Sequence, residues 1–130
     1  MVMLLNEMSI IFKIIVCALL MFILGKERQK KNRFIGPRTL ILIGCATTLV
    51  STIAAEFEGF VLGGIMTGIG FLGAGVITKD RGKVGGLTTA ALIWLAAIIG
   101  MAVGLELYTT AIFTTLFSYI VLKSKKDAFK

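Results

Sequence analysis

The chain has 130 residues, of which 57% are hydrophobic and 16% are charged, and its mean hydropathy is +0.95. Because a soluble domain has about 25% charged residues, this composition excludes a soluble globular protein and indicates an integral membrane protein. The formal net charge of +7 could point to nucleic acid, but the basic residues lie beside apolar segments. Membrane topology and anionic lipid explain such residues, so we expect the lipid bilayer, and not nucleic acid, to surround them.

Five apolar segments follow one another along the chain, whose length fits one domain, residues 1–130. The predicted spans are residues 8–25, 39–55, 59–78, 87–105 and 107–122. At 1.5 Å rise per residue they are about 24 to 30 Å long, which is close to the ~30 Å thickness of a bilayer's hydrocarbon core. The sequence therefore predicts an all-α membrane protein, a compact bundle of five transmembrane helices.

The first two spans contain one charged residue and two thiols. Lys13 lies five residues into the first predicted span. It either marks an ion path or extends outward to lipid headgroups near Glu7, and we favour the second interpretation. Cys17 and Cys45 lie within the first and second spans. Two thiols without histidine are a weak case for a metal site, so we expect both to be packing residues.

The third span has seven glycines in the 17 residues from Gly59 to Gly75. Glycine weakens a helix in water by about 1 kcal/mol relative to alanine, but in lipid it lets another helix approach closely. At ~100° per residue the glycines form two nearly opposite faces. One face has Gly59, Gly63, Gly70 and Gly73, and the other has Gly64, Gly68 and Gly75. We therefore predict a central, glycine-rich third helix with close neighbours on both faces. One neighbour could be a second copy of the chain in a homo-oligomer, with a dimer favoured.

Basic residues are segregated along the chain, which predicts its orientation. Thirteen of the 14 lie directly after the first, third or fifth span: Lys26, Arg28, Lys30, Lys31, Arg33, Arg38, Lys79, Arg81, Lys83, Lys123, Lys125, Lys126 and Lys130. Acidic residues mark the opposite ends: Glu7, Glu56, Glu58 and Glu106. Five full spans place all thirteen basic residues on one side, so we predict that the N-terminus is outside and the C-terminus is cytoplasmic.

The residue types argue against catalysis. The chain has no histidine, which is the commonest general base and transition-metal ligand. Residues 68–73 spell GxGxxG, but a dinucleotide site needs that pattern between a strand and a soluble helix, whereas here it lies within a predicted membrane span. We expect no enzyme activity, no cofactor and no metal site.

Hydroxyl side chains cluster on two spans, at Thr47, Thr48, Ser51 and Thr52 and at Thr110, Thr114 and Ser118. They could line a polar path, but hydrogen bonding that packs helices together is their ordinary use in membranes. We favour packing.

The end of the first span holds the most suggestive charged residues. Glu27 lies among Lys26, Arg28 and Lys30, and a lone carboxylate among cations makes a poor magnesium site. We predict that Glu27 forms an ion pair with Arg38, which ties the first span to the second. Glu27, Arg28 and Arg38 are therefore the candidate functional residues at the cytoplasmic mouth.

Several stretches resemble one known family. They are GIGFLGAGVI at residues 68–77, GLTTAA at 86–91 with Trp94, IIGMAVG at 98–104, GKER at 25–28 and PRT at 37–39. Together they are similar to the core signature of the MgtC/SapB family of bacterial inner-membrane proteins, over roughly residues 10–122. Family members often have an Arg and a Gln in the third span, where this chain has Phe60 and Gly64. Its virulence-associated members have a soluble C-terminal domain, which we do not expect here.

The resemblance implies a five-helix membrane domain of the inner membrane that is linked to adaptation to low magnesium. We hypothesise a non-enzymatic protein that acts in magnesium or envelope-stress homeostasis by modulating another membrane complex, such as the F-type ATP synthase. The alternative hypothesis is a small channel or transporter for magnesium or another cation, with backbone carbonyls of the third span in its pore.

Overall fold

The computed structural model describes residues 2–31, 35–55 and 60–124. It contains five helices: α1 (Val2–Lys31), α2 (Pro37–Ala54), α3 (Phe60–Gly75), α4 (Leu87–Gly104) and α5 (Tyr108–Lys123). Three helical segments are long and apolar enough to cross a membrane, namely Asn6–Lys30, Pro37–Ala54 and Leu87–Gly104. The other two helices have 16 residues each, or about 24 Å. The predicted all-α membrane fold is confirmed.

A short hairpin between α3 and α4 was not predicted. The third span was expected to continue to residue 78, but α3 ends at Gly75. Strands β1 (Thr78–Asp80) and β2 (Lys83–Gly85) then pair antiparallel, with Thr78 opposite Gly85. Arg81 and Gly82 form the turn with φ of +46° and +80°, as two-residue hairpin turns require. The apolar residues Val76 and Ile77 made the segment resemble a continuing helix.

The centre of the bundle is α4, which packs against each of the other four helices. Its inward residues include Leu92, Ala96, Ile99 and Val103, all of which are buried. Cys17 lies in the same core, and Cys45 is partly buried with its Sγ 3.8 Å from the Ile14 carbonyl. The thiols therefore pack as expected from the sequence.

Close approach of α2 and α4 depends on glycine and threonine. Thr48 Oγ1 donates to the Gly100 carbonyl over 2.9 Å, and Thr52 Oγ1 donates to the Gly104 carbonyl over 3.2 Å. A Cβ atom at Gly100 would overlap the Gly44 carbonyl and the hydroxyl of Thr47. The favoured packing role is confirmed for Thr48 and Thr52, whereas the hydroxyls of Thr47 and Ser51 donate to carbonyls of α2 itself.

The position of α3 corrects the expectation that the third helix is central. It packs mainly against α4, and Gly73 is the motif glycine that faces this neighbour, since a Cβ atom there would lie 3.5 Å from the Ala90 carbonyl. Apart from neighbouring residues of α3 itself, no described atom lies within 4 Å of the Cβ position at five others: Gly63, Gly64, Gly68, Gly70 and Gly75. Glycine spacing shows that a helix can be approached closely, but it does not identify the neighbour. In the described part of the chain, no other helix covers most of these two glycine faces.

The helices define two ends of the bundle. At one end, which we call the basic end, α1, α3 and α5 end and α2 and α4 begin. The hairpin lies at the same end. Its described basic residues are Lys26, Arg28, Lys30, Arg38, Lys79, Arg81, Lys83 and Lys123. We call the other the acidic end, where α1 and α5 begin and α2 and α4 end, with Glu7 and Glu106. Glu56 and Glu58 lie outside the described residues.

Candidate functional site

The basic end of the bundle begins with a tight junction between α1 and α2. A Cβ atom at Gly25 would overlap the backbone of Pro37, so glycine is required where the two helices meet. Pro37 is the first residue of α2, a position where its missing N–H costs no helical hydrogen bond. This junction fixes the last turns of α1 beside the start of α2.

Glu27 lies just beyond that junction, with only 6% of its surface exposed. Its carboxylate Oε2 is 3.1 Å from Lys30 Nζ, one turn further along α1. The predicted ion pair of Glu27 with Arg38 is therefore wrong within the described chain, and Arg38 is exposed on α2. A cation three residues away on the same helix is a nearer partner for a carboxylate than one on the next helix.

Arg28 connects α1 with α4. Its guanidinium Nη2 donates a hydrogen bond to the hydroxyl of Thr89, in the first turn of α4. Thr89 is placed there by Gly86, which precedes α4 with φ of +83°. A Cβ atom at Gly86 would also overlap the Val76 carbonyl, so both the backbone conformation and the space require glycine.

The structure thus brings together three of the stretches that carry the family resemblance. GKER supplies Gly25, Glu27 and Arg28, PRT supplies Pro37 and Arg38, and GLTTAA supplies Gly86 and Thr89. They meet at one end of the bundle, where α1, α2 and α4 are held by close backbone contact and one charged hydrogen bond. Arg38 is exposed on the outside of this cluster.

The chemistry of this cluster is electrostatic. Within the described ranges, no three His, Cys, Asp or Glu side chains come together as metal ligands. The Glu27 carboxylate faces an ammonium group at 3.1 Å, which competes with any cation. The arrangement favours ion pairing over metal binding.

A second charged group lies at the acidic end. The Nζ atom of Lys13 donates to the Gly104 carbonyl over 3.1 Å and is 3.0 Å from Glu106 Oε1. Lys13 is 5% exposed and its ammonium group bonds within the protein, so the favoured interpretation, extension to lipid headgroups near Glu7, is wrong. Instead the lysine joins α1 to the turn between α4 and α5, a contact over 91 residues of sequence.

Sequence reasoning missed Thr89, the partner of Lys13 and the packing glycines of α4. One signal was present for the glycines, since Gly100 and Gly104 have the GxxxG spacing that marks close contact of membrane helices. The partners of Lys13 and Arg28 leave no comparable signal, because they depend on how separate helices are rotated toward each other.

The fold and its charged ends define a small multi-pass membrane protein with an electrostatic cluster at one end. The sequence profile of the MgtC family matches residues 14–130, and the chain belongs to this family. It is similar to Protein MgtC of Salmonella typhimurium, with 38% identity over 110 residues that cover 82% of this chain and 48% of the relative.

Two other relatives extend the comparison. Protein SapB of Bacillus subtilis is 37% identical over 126 residues, covering 86% of this chain and 54% of the relative. The protein named "Putative magnesium transporter YhiD" of Escherichia coli K12 is 32% identical over 126 residues, covering 87% and 59%. The chain spans about half the length of the curated relatives it matches. No solved structure matches it.

Proposed function

We propose that this protein is a non-enzymatic protein of the bacterial inner membrane that supports adaptation to low magnesium or envelope stress. It acts by modulating another membrane complex, and the F-type ATP synthase is the candidate that the family resemblance suggests. Arg38 is the exposed residue of the working surface at the basic end, and the buried Glu27 and half-buried Arg28 hold the helices that present it. The magnesium assignment is supported by the name of the relative YhiD.

The buried polar groups of the bundle support modulation over transport. The hydroxyls of Thr48 and Thr52 donate to carbonyls of α4, so they hold helices together. Lys13 adds a buried ammonium group at the acidic end of the core. The Glu106 carboxylate already pairs with this ammonium group at 3.0 Å and so does not act as a cation ligand, which disfavours a magnesium path through a single bundle.

A second candidate function is a cation channel or transporter formed by several copies. The open glycine faces of α3 favour it, because glycine exposes backbone carbonyls that can coordinate ions. The name of YhiD also points in this direction. In this case the path would run along α3 between copies and would avoid Lys13.

We also propose that the chain forms a homo-oligomer, most simply a dimer, through α3. Five glycines of this helix have open space at the Cβ position, while Phe71 is 83% exposed. A groove of about 230 Å³ between α2 and α3, lined in part by Gly64 and Gly68, offers room for side chains of a second copy. Close packing against backbone stabilises helix association in lipid.

The functional test is rescue of a deletion strain in low magnesium by variants of the basic end. Glu27→Gln removes the carboxylate that holds Lys30, and Arg38→Ala removes an exposed cation of the proposed contact surface. We expect both variants to lose rescue while accumulating in the membrane at wild-type levels, measured by growth and immunoblot in the same cultures. Asp80→Asn, an acid of the same end on the exposed hairpin, is the matched control and should rescue.

Full rescue by Glu27→Gln and Arg38→Ala would refute the assignment of the working surface. Loss of the protein itself would show that the residues are structural. Purified wild-type protein in liposomes loaded with a magnesium-sensitive dye separates the two functions, because modulation predicts no flux and the channel predicts flux.

A further inference from the structure

A groove between α1 and α5 opens at the basic end of the bundle and shares only Glu27 with the residues assigned to the proposed function. It has a volume of about 280 Å³ and is lined by Phe22, Ile23, Lys26, Glu27, Lys30 and Tyr119. Phe22 and Ile23 are 45% and 44% exposed, and on a membrane helix such apolar side chains face lipid. The groove therefore begins in the apolar region and ends among charged groups.

Three ammonium groups border the polar part of this groove. Lys26 Nζ lies 5.2 Å from the centre of the Phe22 ring, and Lys123 Nζ lies 5.8 Å from the centre of the Tyr119 ring. Lys30 Nζ is held at 3.1 Å from the Glu27 carboxylate, with 69% of its side chain exposed. The lining itself has two ammonium groups and one carboxylate, and Lys123 beside Tyr119 adds a further positive charge, so cationic groups predominate.

The combination of an apolar wall and a cationic rim selects the chemistry of the occupant. A phosphate headgroup suits the lysines, and an acyl chain suits Phe22, Ile23 and the Tyr119 ring. Basic pockets between membrane helices bind anionic lipid headgroups in this way. A zwitterionic lipid carries an ammonium or choline group that the lysines would repel.

We propose that this groove is a binding site for an anionic phospholipid, with its phosphate at Lys26, Lys30 and Lys123 and its acyl chain along Phe22 and Ile23. The aromatic rings place two of the ammonium groups, because a cation over a ring face is stabilised by the ring's quadrupole. Glu27 places the third through its ion pair. The lipid thereby contacts both α1 and α5 where they meet.

The test compares lipid binding by the purified full chain in detergent, measured by native mass spectrometry with phosphatidylglycerol or phosphatidylcholine added. We expect phosphatidylglycerol to bind and phosphatidylcholine to bind at least about tenfold more weakly. The double variant Lys26→Gln/Lys123→Gln leaves the Glu27–Lys30 pair intact and should weaken phosphatidylglycerol binding on the order of tenfold.

Two further double variants serve as controls. Lys79→Gln/Lys83→Gln removes the same charge from the hairpin, and Lys26→Arg/Lys123→Arg keeps the charge at the groove. Both should bind phosphatidylglycerol as the wild type does. Equal losses in the groove and hairpin variants would mean that surface charge alone attracts the lipid, and the proposal would fall. Retained binding in Lys26→Gln/Lys123→Gln would overturn it as well.

A photoreactive residue at Phe22 tests the site independently of those variants. In nanodiscs that contain equal amounts of the two lipids, it should crosslink mainly to phosphatidylglycerol, and equal crosslinking would contradict the proposal. Inorganic phosphate, added at constant ionic strength, should not displace the lipid. Displacement would identify a site for soluble phosphate in place of a lipid site.

Discussion

Lys13 has its ammonium group near the acidic end, where the Gly104 carbonyl and the Glu106 carboxylate surround it. The two partners differ in exposure, since the side chain of Lys13 is 6% exposed and that of Glu106 is 64% exposed. Removing the carboxylate should therefore have a different effect on stability from removing the lysine. Loss of the carboxylate leaves a buried charge with one carbonyl, whereas loss of the lysine leaves a carboxylate that water can solvate.

The prediction at the scale of residues follows from that asymmetry. Lys13→Met should change the free energy of unfolding by less than about 1 kcal/mol, because a hydrophobic side chain of similar volume replaces a buried charge. Glu106→Gln should lower it by about 1 to 2 kcal/mol, an effect reduced by solvent screening at the exposed carboxylate. Unfolding by SDS titration, followed by circular dichroism, measures both.

The double variant Lys13→Met/Glu106→Gln is the control for this pair. It should match Lys13→Met alone, because the carboxylate has no partner left to lose. A larger loss for Lys13→Met than for Glu106→Gln would contradict the ion pair as the main interaction.

At the scale of elements, α3 and α4 use glycine differently. On α4, a Cβ atom at Gly100 or Gly104 would overlap α2, including backbone carbonyls of Gly44 and Thr48. On α3, a Cβ atom at Gly63 or Gly68 would meet nothing within 4 Å. The first pair is required by the fold of one chain, and we assign the face of α3 that has Gly68 to contact between copies.

This difference predicts two separate outcomes for substitutions of glycine. Gly100→Ala should destabilise the fold by about 1 to 3 kcal/mol, because two packed backbones must move apart. Gly68→Leu should leave the stability of one chain nearly unchanged but lower the mass of the oligomer in detergent, because the side chain fills the face that we assign to a second copy. SDS titration and light scattering measure the two quantities.

Gly73→Ala is the matched comparison, because its Cβ atom would lie 3.5 Å from the Ala90 carbonyl oxygen, an ordinary contact. It should change neither the stability of the chain nor the mass of the oligomer much. If Gly68→Leu leaves the oligomer intact, the contact between copies does not involve this face of α3.

At the scale of the whole molecule, the two ends differ in charge. The turns and helix ends of the basic end carry the described lysines and arginines other than Lys13, whereas Glu7 and Glu106 lie at the acidic end. Basic residues remain on the cytoplasmic side during insertion. The fold makes this segregation simple, because successive helices connect alternate ends of the bundle.

We therefore predict that the basic end is cytoplasmic. In intact cells, Lys83→Cys on the hairpin should be shielded from an impermeant thiol reagent, and Leu107→Cys at the acidic end should be labelled. The wild-type chain is the blank, because Cys17 is buried and Cys45 is partly buried. Labelling at position 83 and protection at position 107 would reverse the orientation.

The sequence alone determined the class of protein, the number of helices and the approximate residues that each one spans. These properties are local: an apolar run of sufficient length forms a helix in lipid because its backbone must satisfy its own hydrogen bonds. The stretches around Gly25, Pro37 and Gly86 were also identified from the sequence, although the purpose of each glycine was not.

Only the tertiary structure decided which residues are partners. Lys13 bonds to Gly104, Glu27 pairs with Lys30, and Gly100 packs on Gly44, while most glycines of α3 face open space. Residue spacing places side chains on a face of a helix, but the rotation of that face and the helix opposite it depend on the packing of the whole bundle. For this reason α4, and not the helix richest in glycine, lies at the centre.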